Sequence, residues 1–198
     1  MAYLKISEAR AVGRAVSSTL QKRASLILTE DAEGFSTGRR YDIFLSHAYD
    51  DGDAILGVRW FIEDQGLTVY VDWIDDPKLD RSRVTSGTAA VLRTRMHACS
   101  SLIYAHSPNS ANSAWMPWEV GFFDGYKPHH VWILPLVADF DREFSSREYL
   151  GLYPKVENLS SLPGRTKLGF QNVKFGSDLR QVPLAEAARG SGIFTSSE

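Results

Sequence analysis

The apolar residues of this chain change their spacing near residue 40. Before that point Ala11, Val12, Ala15, Val16, Leu20, Ala24, Leu26 and Ile27 recur at helical spacing with arginine and lysine between them, which predicts a basic amphipathic helix. Ser7 and Arg10 make no capping box, so the start of that helix is left open. Leu20 is the one bulky residue on the stripe before Leu26, which suits docking on the main body or on a second copy better than a membrane surface. The run Glu33-Gly34-Phe35-Ser36-Thr37-Gly38 reads as a linker.

Beyond the linker, short β-branched and aromatic runs alternate with helical stretches. Residues 41–46 (YDIFLS) predict a buried strand. Asp50 and Asp51 are placed to cap a helix carrying Ile55, Leu56, Val58, Trp60, Phe61 and Ile62, and Gly66 to close it. Residues 67–73 predict a second strand, 83–98 a helix, 101–105 a third strand and 131–137 a fourth. Strands and helices in this alternation form a parallel sheet covered on both faces, an α/β fold. The chain divides into an N-terminal helix and linker (1–38), a core (39–140) and a C-terminal part with an extension (141–198). In that last part, 173–175 reads as an edge strand and 184–189 as a short helix, with a frayed end after Gly190. Ligands of open parallel sheets bind beyond the carboxyl ends of the strands, where the loops here begin at Ser46-His47, at Asp72-Trp73, at His106-Ser107 and after Val137.

Composition narrows the task. Twenty-two basic against 24 acidic residues argue against nucleic-acid backbone as the main partner. A lone cysteine, Cys99, excludes a disulfide framework and a Cys-rich zinc site, and its apolar neighbourhood suits a structural thiol; no metal is expected. No apolar run reaches membrane-spanning length, and the N-terminus lacks the h-region of a secretory signal, so a cytoplasmic protein is expected.

Candidate chemistry concentrates in "SAWMPWEVG", residues 113–121. Pro117 is tolerated only in a first helical turn, which puts the helix start between Ser113 and Pro117, with Ser113 as a cap. Trp115 and Glu119, four apart, then share a face. Spacing alone leaves Glu119 open between a surface carboxylate favoured by the helix dipole and a catalytic one. Trp115, Trp118, Phe122, Phe123 and Tyr126 cannot all face the core of so short a helix, so some of this aromatic surface must line a cleft or an interface. At the end of the first strand, Ser46 and His47 could meet a phosphate, yet no glycine-rich fingerprint is present, and a lone loop histidine is more often structural. A phosphorelay receiver needs an aspartate after strand three, where this chain has His106-Ser107. The loop with Asp72, Asp75, Asp76 and Asp80 does not match a calcium loop, and Arg81 and Arg83 are either phosphate ligands or part of a solvated charged loop.

Taken together, "YDIFLSHAYDD", "LTVYVDW" and "SLIYAHSPNSANSAWMPWEVGFFDG" resemble, in order, the motifs of a bacterial Toll/interleukin-1 receptor (TIR) domain over residues 40–137. The resemblance implies a flavodoxin-like three-layer fold with a parallel sheet of four or five strands. It implies that Glu119 is the glutamate with which enzymatic members cleave the nicotinamide–ribose bond of NAD⁺, a substrate here and not a cofactor. Trp115 matches an aromatic of many bacterial members. Ser46, His47, Asp72, Trp73, Arg81 and Ser82 would join it around the substrate. "YVDWIDDPKLDRS" with "WMPWE" is similar to the short TIR proteins of Thoeris-type antiphage systems, which make a cyclic or modified ADP-ribose signal for a separate effector. Self-association through residues 74–82 or the N-terminal helix is expected. A non-catalytic TIR interaction module and a glycosylase of nucleotides or deoxynucleosides remain as alternatives. The resemblance is silent on the N-terminal helix and the C-terminal extension.

Overall fold

Five parallel strands form the central sheet: β1 (Leu4–Lys5), β2 (Tyr41–Ser46), β3 (Val69–Val71), β4 (Cys99–His106) and β5 (Val131–Val137), in the order β1-β5-β4-β2-β3. This computed structural model describes residues 3–24, 26–27, 38–71, 85–141, 144, 148–160, 165–175 and 177–190. Without β1 the order is that of a flavodoxin-like sheet, and the N-terminal strand takes the fifth place beside β5. The hydrophobic pattern did not announce β1, because two residues are too few to show a period.

Every second residue of each strand points to the same side, and the two sides hold separate cores. Ile43, Leu45, Val69, Val71, Ile103, Ala105, Trp132 and Leu134 pack under α1 (Ile6–Leu20), α2 (Gly52–Glu63) and α5 (Leu184–Arg189). Phe44, Tyr70, Leu102, Tyr104, Val131 and Ile133 pack under α3 (Ser86–His97) and α4 (Trp115–Tyr126). The result is the three-layer α/β sandwich expected from the alternation of elements.

The amphipathic N-terminal helix docks on the main body. α1 lies against α2 so closely that a Cβ on Gly13 would stand 1.8 Å from the Asp53 carbonyl oxygen, and one on Gly57 1.9 Å from that of Ala9. Arg14 adds an ion pair to Asp53 at 3.2 Å. α2 stops as its sequence suggested: Gly66 adopts the left-handed conformation (φ +79°) and its N–H returns to the Glu63 carbonyl. After the core, β6 (Glu157–Asn158), β7 (Leu168–Phe175) and β8 (Asp178–Pro183) form a small antiparallel sheet. The edge strand expected at 173–175 is the end of the longer β7, and the short helix over 184–189 is α5. Among the described residues no helix is long and apolar enough to cross a membrane.

Candidate active site

The chain runs from β2 to β3 on one side, then crosses back to place β4 on the other side of β2. Strand order therefore reverses between β2 and β4, and the crevice beyond their carboxyl ends is where such a sheet holds ligands. Ser46 is the last residue of β2, and His106-Ser107 closes β4.

Helix α4 delivers Glu119 to this crevice. The Ser113 hydroxyl accepts the Met116 N–H at 3.2 Å, and Pro117 occupies the third helical position, where no helical hydrogen bond is lost. Glu119 follows in the second turn and is only 1% exposed, so it is no surface carboxylate. Burying a carboxylate is costly unless it is hydrogen-bonded. Ser46 supplies such a bond: its Oγ donates to Glu119 Oε2 at 2.5 Å, joining the end of β2 to the helix.

Trp115 shares the face of Glu119 and is 5% exposed, set in the core with Phe44, Tyr70 and Leu92. Its ring meets Trp118 edge-on at 5.5 Å. The remaining aromatic density of α4 fills its seam with α3. Trp118 stacks on Phe122 at 5.5 Å, and the Arg93 guanidinium lies over both rings at 5.4 and 5.7 Å. His97 meets Phe122 and Tyr126. His47 is buried beside Ser46, with its Nδ1 3.0 Å from the Leu45 carbonyl oxygen. Ser46, His47, Trp115 and Glu119 thus gather at one end of the sheet, whereas Asp72, Trp73, Arg81 and Ser82 lie outside the described residues. Cys99 is buried and donates to the Arg95 carbonyl at 3.3 Å.

A second polar cluster lies at the same end of the sheet, and the sequence pattern missed it. Asp51 was expected to cap α2, yet its side chain caps no N–H of that helix. Its carboxylate is 2% exposed and accepts from the Ser107 hydroxyl and from Asn109 Nδ2 at 2.8 Å. Arg10 of α1 stands 3.9 Å away. The available signal was the run Ser107-Pro108-Asn109-Ser110, which builds a 3₁₀ turn with a capping box over Pro108–Asn112.

A cleft of about 950 Å³ opens on the opposite face of the sheet, between α1 and the start of α2. Of the cations that line it, Arg14 pairs with Asp53 and Arg10 faces Asp51, Lys22 and Arg23 line it as well, and Glu119 is not part of it. Among the described residues no group of three or more His, Cys, Asp or Glu could hold a metal ion.

No protein-family model matches the chain. A probable 3′ cyclic ADP-D-ribose synthase, ThsB', from Bacillus cereus (strain MSX-D12) is 49% identical over 134 residues, 67% of this chain and 69% of that protein. A Cytobacillus dafuensis protein provisionally designated cyclic ADP-D-ribose synthase TIR2 is 29% identical over 83 residues, 41% of this chain and 22% of that protein. Among solved structures, the TIR domain of the Toll-related receptor TRR-2 from Hydra magnipapillata matches with a TM-score of 0.41 and 18% identity, covering 58% of this chain and 83% of that one. The identity to ThsB', over two thirds of both chains, shows that this protein belongs to the bacterial TIR family, in the branch of ThsB'.

Proposed function

We propose that the protein cleaves the nicotinamide–ribose bond of NAD⁺ and turns the ADP-ribose portion into a cyclic or otherwise modified signal of antiphage immunity. The observation that carries this reading is Glu119, a buried carboxylate held by Ser46 in the crevice between β2 and β4. The names of the two curated relatives, both cyclic ADP-D-ribose synthases, support it.

The chemistry needs one carboxylate. Nicotinamide departs as a neutral molecule and needs no proton from an acid, so the barrier lies in the positive charge developing on the ribose. Glu119 stabilises that oxocarbenium-like charge, and the Ser46 hydroxyl fixes which way the carboxylate points. Burial strengthens the attraction, because no water screens it. Attack by water then yields linear ADP-ribose, and attack by a hydroxyl or ring nitrogen of the same molecule yields a cyclic product. Cyclisation requires a folded substrate in a dry site, which the apolar surroundings of Trp115 favour. Ser46, His47 and Trp115, gathered with Glu119 at one end of the sheet, are the described candidates for substrate contact, and Asp72, Trp73, Arg81 and Ser82, outside the described residues, are candidates by family resemblance alone. The protein works in the cytoplasm, associates with itself through residues 74–82 or the N-terminal helix, and passes its product to a separate effector. A purely adaptor role would require no buried carboxylate at this place.

Mass spectrometry of products after incubation with NAD⁺ tests the reading. The parent is expected to release nicotinamide with a cyclic or modified ADP-ribose, and Glu119→Gln to lose at least ~10³-fold in turnover. A Glu119→Gln protein that consumes NAD⁺ at the parent rate would sink the proposal.

A further inference from the structure

We infer that Asp51 is a positioning residue for Glu119, locking the loop after β2 to the turn that launches α4. The inference rests on the reading of Glu119 as the catalytic carboxylate. Aspartate is almost never fully buried without partners, and this one has forsaken the helix cap it stands beside. Its two oxygens reach across to the end of β4 instead, one to the Ser107 hydroxyl and one to the Asn109 amide.

What those donors belong to gives the contact its consequence. The Ser107 N–H is held by Ser110 Oγ at 2.8 Å, Ser110 Oγ donates to the Ala105 carbonyl at 3.2 Å, and Ser107 Oγ accepts the Asn109 N–H at 3.1 Å. The turn Pro108–Asn112 is therefore one cross-linked unit fastened to the end of β4 and to Asp51. Ser113 follows it directly and caps α4, and Glu119 lies in the second turn of that helix. Two clamps thus tie the segment around the end of β2 to the segment that runs from β4 into α4, Ser46 to Glu119 on the helix and Asp51 to Ser107 and Asn109 in the turn before it. Arg10, at 3.9 Å from Asp51, brings the N-terminal helix to the second clamp. A reacting group misplaced by about 1 Å loses on the order of 10²-fold in rate, so a clamp away from the chemistry can still govern it.

The test uses the full chain with Asp51→Ala, Asn109→Ala and the double variant, reading NAD⁺ turnover, thermal unfolding and amide hydrogen exchange. Asp51→Ala is expected to lower kcat by about 10- to 100-fold with KM changed less than about threefold. Exchange should quicken over residues 107–119 and stay as it was in β5. Asn109→Ala should lose less, and the double variant no more than Asp51→Ala alone, because both changes cut one link. A folded Asp51→Ala protein with parent kcat, a loss confined to KM, or additive losses in the double variant would each overturn the inference. If Asp51→Ala does not fold, Asn109→Ala decides by the same kcat and exchange readings. If the parent itself leaves NAD⁺ intact, the proposed function falls separately, and exchange over 107–119 alone upholds or overturns the coupling.

Discussion

On one face of the sheet, α1 and α2 meet backbone to backbone over Gly13 and Gly57, above a mostly aliphatic core. On the other, α3 and α4 meet through stacked rings and an arginine, and a carboxylate is buried beneath α4. The first face spends its residues on close packing. The second keeps polar groups inside, where each needs a partner, and it is there that chemistry can be done. A change on the first face should therefore reach stability before activity, and a change on the second should do the reverse.

Gly57→Ala is expected to have the largest effect on stability. In an open helix interior this substitution would stabilise by about 1 kcal/mol. Here the new methyl would lie 1.9 Å from the Ala9 carbonyl oxygen, a backbone atom that cannot swing aside. A net loss of about 2–3 kcal/mol is expected by chemical denaturation, with turnover per folded molecule unchanged. A stabilised Gly57→Ala protein would break the contrast, because it would mean that α1 and α2 are free to move apart.

Ser46→Ala sharpens the contrast from the other side. It removes the donor to Glu119 Oε2 and leaves the packing of the strand in place. Turnover should fall about tenfold, which corresponds to about 1.4 kcal/mol in the barrier. Stability should fall by about 1 kcal/mol for the lost hydrogen bond. A Ser46→Ala protein with full turnover would show that Glu119 needs no aiming from β2.

The two faces also differed in how far the chain announced them. Alternation of strands and helices was enough to place β2, β4, β5 and the helices between them, because each carries a long apolar period. Pro117 and Ser113 located the start of α4, since proline and a capping hydroxyl act locally. β1 escaped notice because its two residues gain their place only by pairing with Leu136 and Val137, far along the chain. Asp51 escaped for a related reason. Locally it reads as a helix cap, and only the fold brings Ser107 and Asn109, more than fifty residues later, to its carboxylate. Glu119 sat between these cases: its position on the helix was legible, and its burial was not.

His130 extends the comparison away from the crevice, with the smallest expected effect. It stands just before β5, and its Nδ1 lies 3.2 Å from the Ser101 hydroxyl. Burial pushes its pKa below the usual 6.5, and the nearby Lys127 and His129 push the same way. The folded protein therefore resists a proton that the unfolded chain accepts. Above about pH 6.5 neither state is charged and nothing is lost; as pH falls from there toward the folded pKa, stability declines. The residue is partly open to solvent, which keeps the effect small. His130→Gln should remove this part of the acid sensitivity, narrowing the fall in Tm between pH 7.5 and 5.5 by about 1 °C. Ser101 and His130 have the strand parity of Ile103 and Trp132, so equal falls in parent and variant would mean that this imidazole adds no proton sensitivity to the glycine-packed side.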